Sequence, residues 1–260
     1  MNRIPDYLEL TCDIVAWICD YCNKHSIKSL VVGVSGGIDS AVSSTLAAKT
    51  GLPVYAVGMP INQNKEQETL SDAHLFWLEQ TYPNVTVLKA DLSEVFGKFV
   101  ETIGKECGVE YSINKMAGAN SRSRLRMVTL YQIAASVNGI VVGTGNKVED
   151  YGVGFYTKYG DGGVDIAPIA DLYKTEVREL GRFNGVIPEI VEAKPTDGLW
   201  DDGRTDEDQI GASYEDLEYA MEHGTGPAVR VLHDFHCKNK HKMNPIPTYK
   251  LEVKKECVSA

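Results

Sequence analysis

The chain has 260 residues, of which 43% are hydrophobic and 24% charged, and its 36 acidic and 26 basic side chains give a formal net charge of −10 at pH 7. These proportions are typical of a globular protein and exclude fibrous and disordered classes. The acidic balance argues against a nucleic-acid partner, because affinity for the phosphate backbone comes from Lys and Arg side chains.

Apolar runs and the number of cysteines predict the cellular compartment of the protein. The sequence contains no apolar run of the roughly 18 to 20 residues that a membrane span requires, and its start lacks the apolar stretch of a secretory signal. Six cysteines in 260 residues are too few for a disulfide framework. We therefore expect a cytoplasmic enzyme with no membrane partner.

Short apolar runs alternate with amphipathic stretches along the first two thirds of the chain. The runs predict strands that are buried on both faces, and the amphipathic stretches predict helices. The predicted helices cover residues 8–22, 39–49, 65–80, 92–107 and 121–137, and the predicted strands cover residues 29–34, 53–59, 85–90 and 139–142. This order predicts an α/β fold, a doubly wound parallel sheet with helices on both faces. Ligands of such sheets bind beyond the carboxyl ends of the strands, where the strand order reverses.

The pattern changes beyond Ile166. A helix over residues 172–183 is predicted to be capped by Asp171, and residues 194–203 are rich in Pro, Gly and Asp without periodicity. Such a long aperiodic stretch favours a lid or a mobile segment. Helices over residues 214–222 and 227–239 predict a C-terminal helical extension, and we expect residues 1–260 to form one domain.

A glycine-rich loop follows the first predicted strand and leads into a helix. Its sequence is Gly33, Val34, Ser35, Gly36, Gly37, Ile38, Asp39 and Ser40. Backbone N–H groups and the helix dipole at such a position bind anions. The loop has neither the Walker A nor the Rossmann spacing. Two interpretations therefore stay open: a phosphate-binding loop, or a plain glycine turn in which Asp39 caps the helix.

If the loop binds phosphate, the carboxylate of Asp39 indicates that a cation binds there as well. A carboxylate about 4 Å from a phosphate oxygen is repelled by about 1 kcal/mol in water and by about 4 kcal/mol at an effective dielectric of 20. A divalent cation between the two groups reverses the sign, so the loop predicts Mg²⁺ together with phosphate.

The segment SGGIDS after a buried strand resembles the pyrophosphate-binding loop of the ATP pyrophosphatase, or N-type, superfamily, whose members cleave ATP to adenylylate a substrate oxygen. Further motifs follow in order: ANSRSRLRM at residues 119–127, GTGNKVE at 143–149, and TKYGDGGVDI at 157–166 with PIADLYKTEV at 168–177. Together they resemble the NAD synthetase family over about residues 31–242.

The resemblance implies an adenine-nucleotide α-hydrolase-like, Rossmann-like fold and an ammonia-dependent ligase. In that family ATP adenylylates the nicotinate carboxylate of deamido-NAD, and ammonia then displaces AMP, giving NAD and pyrophosphate as the other products. The resemblance further implies a homodimer whose contact includes the predicted helix over residues 121–137. Because the motifs extend over nearly the whole chain, we expect no glutaminase domain, and ammonia itself as the nitrogen donor.

The resemblance also assigns residues to each ligand by position. It implies no nucleophilic side chain, and it implies that Asp39 and Glu149 bind Mg²⁺. The implied ATP-binding residues are Gly33, Val34, Ser35, Gly36, Gly37, Ile38, Asp39, Ser40, Thr144, Lys174 and Thr196, and the implied deamido-NAD-binding residues are Arg124, Lys158, Asp165, His241 and Lys242.

Spacing gives independent support to two of these residues. A lysine in the first turn of a helix, as predicted for Lys174, meets the positive end of the helix dipole at a cost of about 0.3 to 1 kcal/mol, a placement that suits a bound anion. An exposed surface lysine remains the alternative. Arg124 lies about 160° around its helix from both Arg122 and Arg126, so the three cannot share one solvent face.

Other patterns leave weaker alternatives. Cys19 and Cys22 form a C-x-x-C pair within a predicted helix, where buried thiols are favoured. His233, His236 and Cys237 share a helix face, which leaves zinc open, although no carboxylate or thiolate completes that site. A tRNA-modifying enzyme with the same loop conflicts with the acidic charge. A non-catalytic nucleotide sensor would not need Asp39 together with Glu149.

Overall fold

The computed structural model of the chain describes residues 3–63, 65–108, 115–196 and 205–251. Strands and helices alternate through its first half. In chain order the elements are α1 (Tyr7–Lys24), β1 (Ser29–Gly33), α2 (Ile38–Lys49), β2 (Val54–Gly58), α3 (Lys65–Thr81), β3 (Val85–Lys89), α4 (Ser93–Cys107), α5 (Lys115–Ser136), β4 (Gly139–Val142), a π-helix (Lys147–Val153), α6 (Lys174–Phe183), α7 (Pro188–Val191), α8 (Asp206–Ile210), α9 (Tyr214–His223) and α10 (Val229–Met243).

The four strands of the described residues form one parallel sheet in the order β3-β2-β1-β4. In the register of this sheet Leu30 lies opposite Val54 of β2 on one side and Ile140 of β4 on the other. The chain moves outward from β1 to β2 and β3, and then returns to the other side of β1 as β4. This confirms the predicted doubly wound α/β fold, and it puts the reversal of strand order between β1 and β4.

Helices cover both faces of the sheet. Val31 and Val32 are neighbours on β1 and are both fully buried, but they belong to different hydrophobic clusters. Val32 packs in the cluster that contains Leu46 of α2 and Leu180 of α6, and Val31 packs in the cluster that contains Phe96 of α4. Successive residues of a strand point to opposite faces, so the continuous apolar run follows from burial on both sides.

A third hydrophobic cluster holds the C-terminal helices. Val148 and Val153 of the π-helix pack there with Tyr214 and Leu217 of α9. Both α9 and α10 contact the π-helix. The predicted C-terminal helical extension is therefore packed against the segment that follows β4, next to the reversal of strand order.

Several predicted boundaries differ from the structure. Helix α5 begins at Lys115, not at residue 121, and so includes Gly118, which a sequence pattern treats as a break. The prediction that Asp171 caps α6 was wrong: Tyr173 is the N-cap and Lys174 the first helical residue. Asp171 instead accepts a hydrogen bond from Lys147 at 2.6 Å.

The predicted lid corresponds only in part to described structure, since residues 197–203 lie outside the described residues. The acidic run that follows it begins α8, where Thr205 is the N-cap and Asp206 is buried. Among the described residues, no helix is long and apolar enough to cross a membrane.

Candidate active site

The glycine-rich loop after β1 lies at the reversal of strand order. Gly36 has a φ of +88°, and a Cβ built at that position would lie 2.7 Å from the carbonyl oxygen of Gln67. Both facts restrict this position to glycine. Ser40 ties the loop together, because its Oγ accepts from the N–H of Ser35 at 3.1 Å and donates to the carbonyl oxygen of Gly37 at 2.9 Å.

The loop leads into α2 without a side-chain cap. Gly37 is the N-cap residue, and no side chain accepts a hydrogen bond from the first turn. Asp39 lies one position inside the helix, so the interpretation of Asp39 as a helix cap was wrong. An uncapped helix N-terminus behind a glycine-rich turn is the arrangement that binds anions.

The second loop of the site follows β4 and is organised by Asn146, which is fully buried. Its Oδ1 accepts hydrogen bonds from the backbone N–H groups of Val148 at 3.0 Å and Glu149 at 3.1 Å, and so caps the π-helix. Its Nδ2 donates to Oδ1 of Asp39 at 3.2 Å. One side chain therefore joins the two loops. Asparagine is a common N-cap residue, and this was the signal in the sequence that could have identified it.

Asp39 and Glu149 meet at one cation, the ammonium group of Lys174. The Nζ atom of Lys174 lies 2.5 Å from Oδ2 of Asp39 and 2.8 Å from Oε1 of Glu149. Lys174 is 3% exposed, so the charges are shielded from water. The two carboxylates that the sequence analysis paired are thus brought together, and a third predicted residue lies between them.

Burial and charge act in opposite directions on these groups. Burial disfavours the ammonium form of Lys174, but the carboxylates of Asp39 and Glu149 outweigh it and raise the pKa of the lysine. Burial likewise disfavours the Glu149 carboxylate, yet Lys174 and the Tyr214 hydroxyl bring its pKa below the ordinary value. Burial raises the pKa of Asp39, since the same ammonium offsets it only in part. The cluster depends on the lysine for its compensating charge.

Tyr214 completes this cluster, and the sequence analysis did not single it out. Its hydroxyl donates to Oε1 of Glu149 at 2.6 Å and lies 3.5 Å from Oδ2 of Asp206. Its ring centroid lies 5.1 Å from Nζ of Lys174. Burial, followed by the charges of Glu149 and Asp206, raises the pKa of the phenol, so the hydroxyl keeps its proton.

A cleft of about 810 Å³ opens over these loops, a size that suits small-molecule ligands. Every residue that the sequence analysis assigned to ATP or Mg²⁺ lines it, including Thr144 and Thr196 at positions far from the glycine-rich loop in the sequence. The structure therefore gathers residues 33–40, Glu149 and Lys174 around one space.

The residues assigned to deamido-NAD are divided between the cleft and its surroundings. Lys242 lines the cleft, and its Nζ donates to the carbonyl oxygens of Gly154 at 2.5 Å and Tyr156 at 2.8 Å. The other four are outside the lining. Arg124 donates to the carbonyl oxygen of Lys158 at 3.3 Å, Lys158 donates to that of His241 at 3.4 Å, and Asp165 accepts from the N–H of Val141 at 2.7 Å.

The arginines of α5 differ in their surroundings. Arg126 lines the cleft, where its Nε donates to the carbonyl oxygen of Met59 at 3.0 Å, and burial next to Arg122 lowers its pKa to about 10. Arg124 is exposed. Helical spacing separated Arg124 from the other two, but spacing alone cannot say which of the two faces is turned toward the sheet.

Cys22, His233, His236 and Cys237, which the sequence analysis weighed as redox or metal candidates, lie outside the lining of the cleft. Cys22 is buried in α1, and burial raises the pKa of its thiol. The ring of His236 lies 2.9 Å from the carbonyl oxygen of Gly152, and His233 lies 3.5 Å from Sγ of Cys237. No group of three or more His, Cys, Asp or Glu side chains suited to a metal ion occurs within the described residues.

Comparison with known proteins connects this geometry to one family. The family model described as NAD synthase matches residues 10–242. An NH(3)-dependent NAD(+) synthetase of Carboxydothermus hydrogenoformans is 37% identical over 238 residues, which cover 90% of this chain and 94% of the relative. The NMN synthetase of Francisella tularensis has a similar structure, with a TM-score of 0.85 and 31% identity over 95% of this chain and 99% of that one. An NH3-dependent NAD synthetase of Campylobacter jejuni shares the fold, with a TM-score of 0.73 and 24% identity over 95% of this chain and 100% of that one.

Proposed function

The chain belongs to the NAD synthase family, and on this premise we propose that it is an amide ligase that makes NAD from deamido-NAD, ATP and ammonia. The observation that carries the proposal is the convergence of Asp39 and Glu149 on one cation, 2.5 and 2.8 Å away, next to an uncapped glycine-rich loop. Two carboxylates at a phosphate loop suit a nucleotide that is bound with a divalent cation. A non-catalytic nucleotide sensor would not need this pair.

The reaction has two steps, and in both the protein positions the reactants. In the first, an oxygen of the nicotinate carboxylate attacks the α-phosphorus of ATP, and the bond to pyrophosphate breaks. In the second, the nitrogen of ammonia attacks the carbonyl carbon, a proton is lost, and AMP leaves. Residues 33–40 would bind the phosphates through backbone N–H groups, which meets the charge that develops on the departing pyrophosphate. Two substrates held in one cleft react without the entropic cost of an encounter.

Asp39 and Glu149 fit Mg²⁺. The structure already has a positive charge between them, and Mg²⁺ commonly binds to one or two carboxylates together with substrate phosphates. When bound, Mg²⁺ would neutralise phosphate charge during the transfer. Lys174 would then be free to donate to a phosphate oxygen, which is the role that its position at the first turn of α6 favours.

The second substrate would extend from the cleft toward its rim. Lys242 lies in the cleft, and Arg124, Lys158 and His241 form a chain of contacts just outside it. A dinucleotide is long enough to use both places. We propose that the protein is a homodimer and that this rim lies near the subunit contact, where exposed Arg124 would be covered.

Ammonia is the proposed nitrogen donor, and the cytoplasm is the proposed location. The name of the Carboxydothermus relative, an NH(3)-dependent NAD(+) synthetase, supports ammonia, and this chain covers 94% of that relative. Cys12, Cys19, Cys22, Cys107 and Cys237 are free thiols, which is typical of proteins from a reducing compartment.

One alternative substrate has a specific observation in its favour. The Francisella structure with a TM-score of 0.85 is an NMN synthetase. The same two steps on nicotinate mononucleotide would give NMN, and this smaller substrate would need the cleft but not the rim. Binding of the substrate by Arg124, Lys158 and His241, as proposed above, would distinguish the dinucleotide from the mononucleotide.

Pyrophosphate release distinguishes these possibilities. ATP, ammonium and Mg²⁺ would be supplied with deamido-NAD, with nicotinate mononucleotide or with neither, and the amide product identified by mass spectrometry. We expect release to depend on deamido-NAD and NAD to form in equal amount. Release that needs no nicotinate compound, or that occurs only with the mononucleotide, would contradict the proposal.

A further inference from the structure

The hydroxyl of Tyr214 touches the site but has no role in the steps described above. Tyr214 is 1% exposed, and its ring packs in the cluster formed by the π-helix, α9 and neighbouring residues. A ring packed in this way cannot change its position if the Glu149 side chain moves. Its hydroxyl therefore has a fixed position relative to the backbone of the π-helix, which carries Glu149.

The hydroxyl makes its short contact with one oxygen of Glu149. It donates to Oε1 at 2.6 Å, and Nζ of Lys174 donates to the same oxygen at 2.8 Å. A hydrogen bond to a charged group is short and strong when it is buried. The carboxylate is thus held in one orientation even if the ammonium group moves away.

A second residue of α9 holds the other side of the cluster. The carboxylate of Glu218 accepts from the backbone N–H of Thr175 at 3.0 Å and from its Oγ1 at 2.6 Å. Thr175 follows Lys174 at the start of α6. Tyr214 and Glu218 are four residues apart, on one face of α9, so one helix is fixed to both the π-helix and α6.

We propose that Tyr214 is a positioning residue that orients Glu149 toward the divalent cation, with α9 as the rigid support. The inference rests on the proposed function, because it assigns the cation to Asp39 and Glu149. Residues that hydrogen-bond to a metal ligand without binding the metal commonly contribute about 10- to 100-fold to metal affinity. This is the magnitude expected for the hydroxyl of Tyr214.

The test is the variant Tyr214→Phe, which removes only the hydroxyl. Binding of Mn²⁺ would be measured by electron paramagnetic resonance in the presence of α,β-methylene ATP. Binding of the same analogue in EDTA would be measured by calorimetry. The matched control is Tyr219→Phe, since Tyr219 lies on the same helix, is half exposed, and makes no hydrogen bond through its hydroxyl within the described structure.

We expect Tyr214→Phe to weaken Mn²⁺ binding by about 10- to 100-fold while metal-free analogue binding stays unchanged. We expect Tyr219→Phe to change neither. Unaltered Mn²⁺ affinity in Tyr214→Phe would overturn the inference. Equal losses in both measurements would also overturn it, because they would mean that the hydroxyl merely supports the fold.

The proposed function can fail separately from this inference. Wild-type protein that binds Mn²⁺ with the analogue but makes no NAD would contradict the proposed function. The role of Tyr214 would then still be decided by comparing the Mn²⁺ affinities of the wild type and Tyr214→Phe. Wild-type protein that makes NAD, with Mn²⁺ affinity unaltered in Tyr214→Phe, would contradict the inference alone.

Discussion

Lys174 lies between Asp39 and Glu149, the two carboxylates that are proposed to hold a divalent cation. Its ammonium group is buried and compensates both carboxylates. A buried charge that loses its partner destabilises a protein by about 3 to 5 kcal/mol. If Asp39 and Glu149 hold a divalent cation as proposed, the lysine and the cation would substitute for one another in compensating the same two charges.

The variant Lys174→Ala tests this substitution. We expect it to lower the melting temperature in EDTA, because two adjacent carboxylates lose their compensating charge. We also expect Mg²⁺ alone to raise that temperature more than in the wild type. The control is Lys147→Ala, which removes the ion pair with the exposed Asp171 and should change stability by no more than about 1 kcal/mol. An Mg²⁺ shift equal to that of the wild type would contradict the account.

His74 is a buried histidine outside the site. It is fully buried on α3, where its Nε2 lies 3.0 Å from Oγ of Ser44 on α2. Burial lowers its pKa from 6.5 to about 4. Since the folded protein favours the neutral ring, this contribution to stability is complete above pH 6.5 and is lost as the pH falls from 6.5 toward 4.

The pH dependence of unfolding follows from this shift. We expect the contribution of His74 to the free energy of unfolding to fall by about 2 kcal/mol as the pH is lowered from 7 to 5. Urea unfolding at the two pH values would show a smaller decrease for His74→Gln than for the wild type. His233→Gln, at an exposed position, should leave the decrease as it is. An unchanged pH dependence in His74→Gln would contradict the assignment.

At the scale of elements, the glycine-rich loop depends on α3 as well as on its own sequence. The side chain of Ser71 on α3 donates to the carbonyl oxygen of Val34 at 2.8 Å. A Cβ at Gly36 would lie 2.9 Å from the backbone nitrogen of Ser71. The loop and α3 are therefore in direct contact, and a side chain at position 36 would push them apart.

The variant Gly36→Ala should separate the loop from α3. We expect it to lose at least about 1 kcal/mol of stability, because it combines a positive φ with a backbone clash, and to lose binding of α,β-methylene ATP. Gly97→Ala is the control, since Gly97 lies inside α4 with no heavy atom within 4 Å of its built Cβ. It should gain about 0.5 to 1 kcal/mol. Calorimetry that finds normal binding in Gly36→Ala would contradict this role.

The sequence predicts the elements that carry a regular signal. The strands are short continuous apolar runs, and the loop at residues 33–40 has the glycines and the position that anion binding requires. The π-helix has no such signal, because a single turn with a wider hydrogen-bond pattern leaves no periodicity in seven residues. The start of α5 was missed because Gly118 and its polar neighbours are typical of loops.

Motifs predicted residues that line the cleft, whereas contacts that depend on the fold were not predicted. Residues 33–40, Glu149 and Lys174 belong to motifs and line one cleft. Tyr214 reaches Glu149 from a helix 65 positions away in the chain, and a buried tyrosine is ordinarily part of the core. Arg126 also lines the cleft, which the sequence did not predict because the orientation of α5 depends on packing against the sheet.

At the scale of the whole molecule, two neighbouring helices expose apolar side chains. Helices α4 and α5 pack together; α4 exposes Val95 and Phe99, and α5 exposes Val128 as well as Met116, which lines the cleft. Large exposed apolar side chains in one region are typical of a protein–protein contact. This supports the proposed homodimer and its contact through α5.

Val128→Glu tests the contact, since Val128 is 58% exposed on α5. We expect light scattering to give the mass of a dimer for the wild type and that of a monomer for the variant. Leu8→Glu is matched to it, because Leu8 is also 58% exposed but lies on α1. A wild-type monomer, or a dimer that survives Val128→Glu, would contradict this contact.

The central claim is that the carboxylate is activated as an adenylate in the cleft over residues 33–40. Deamido-NAD that carries ¹⁸O in its nicotinate carboxylate tests this most directly, because the oxygen that attacks the α-phosphorus must leave with AMP. We predict one ¹⁸O atom in the AMP formed with each NAD, detected by mass spectrometry. Unlabelled AMP, or label in orthophosphate with ADP as the other product, would contradict the account.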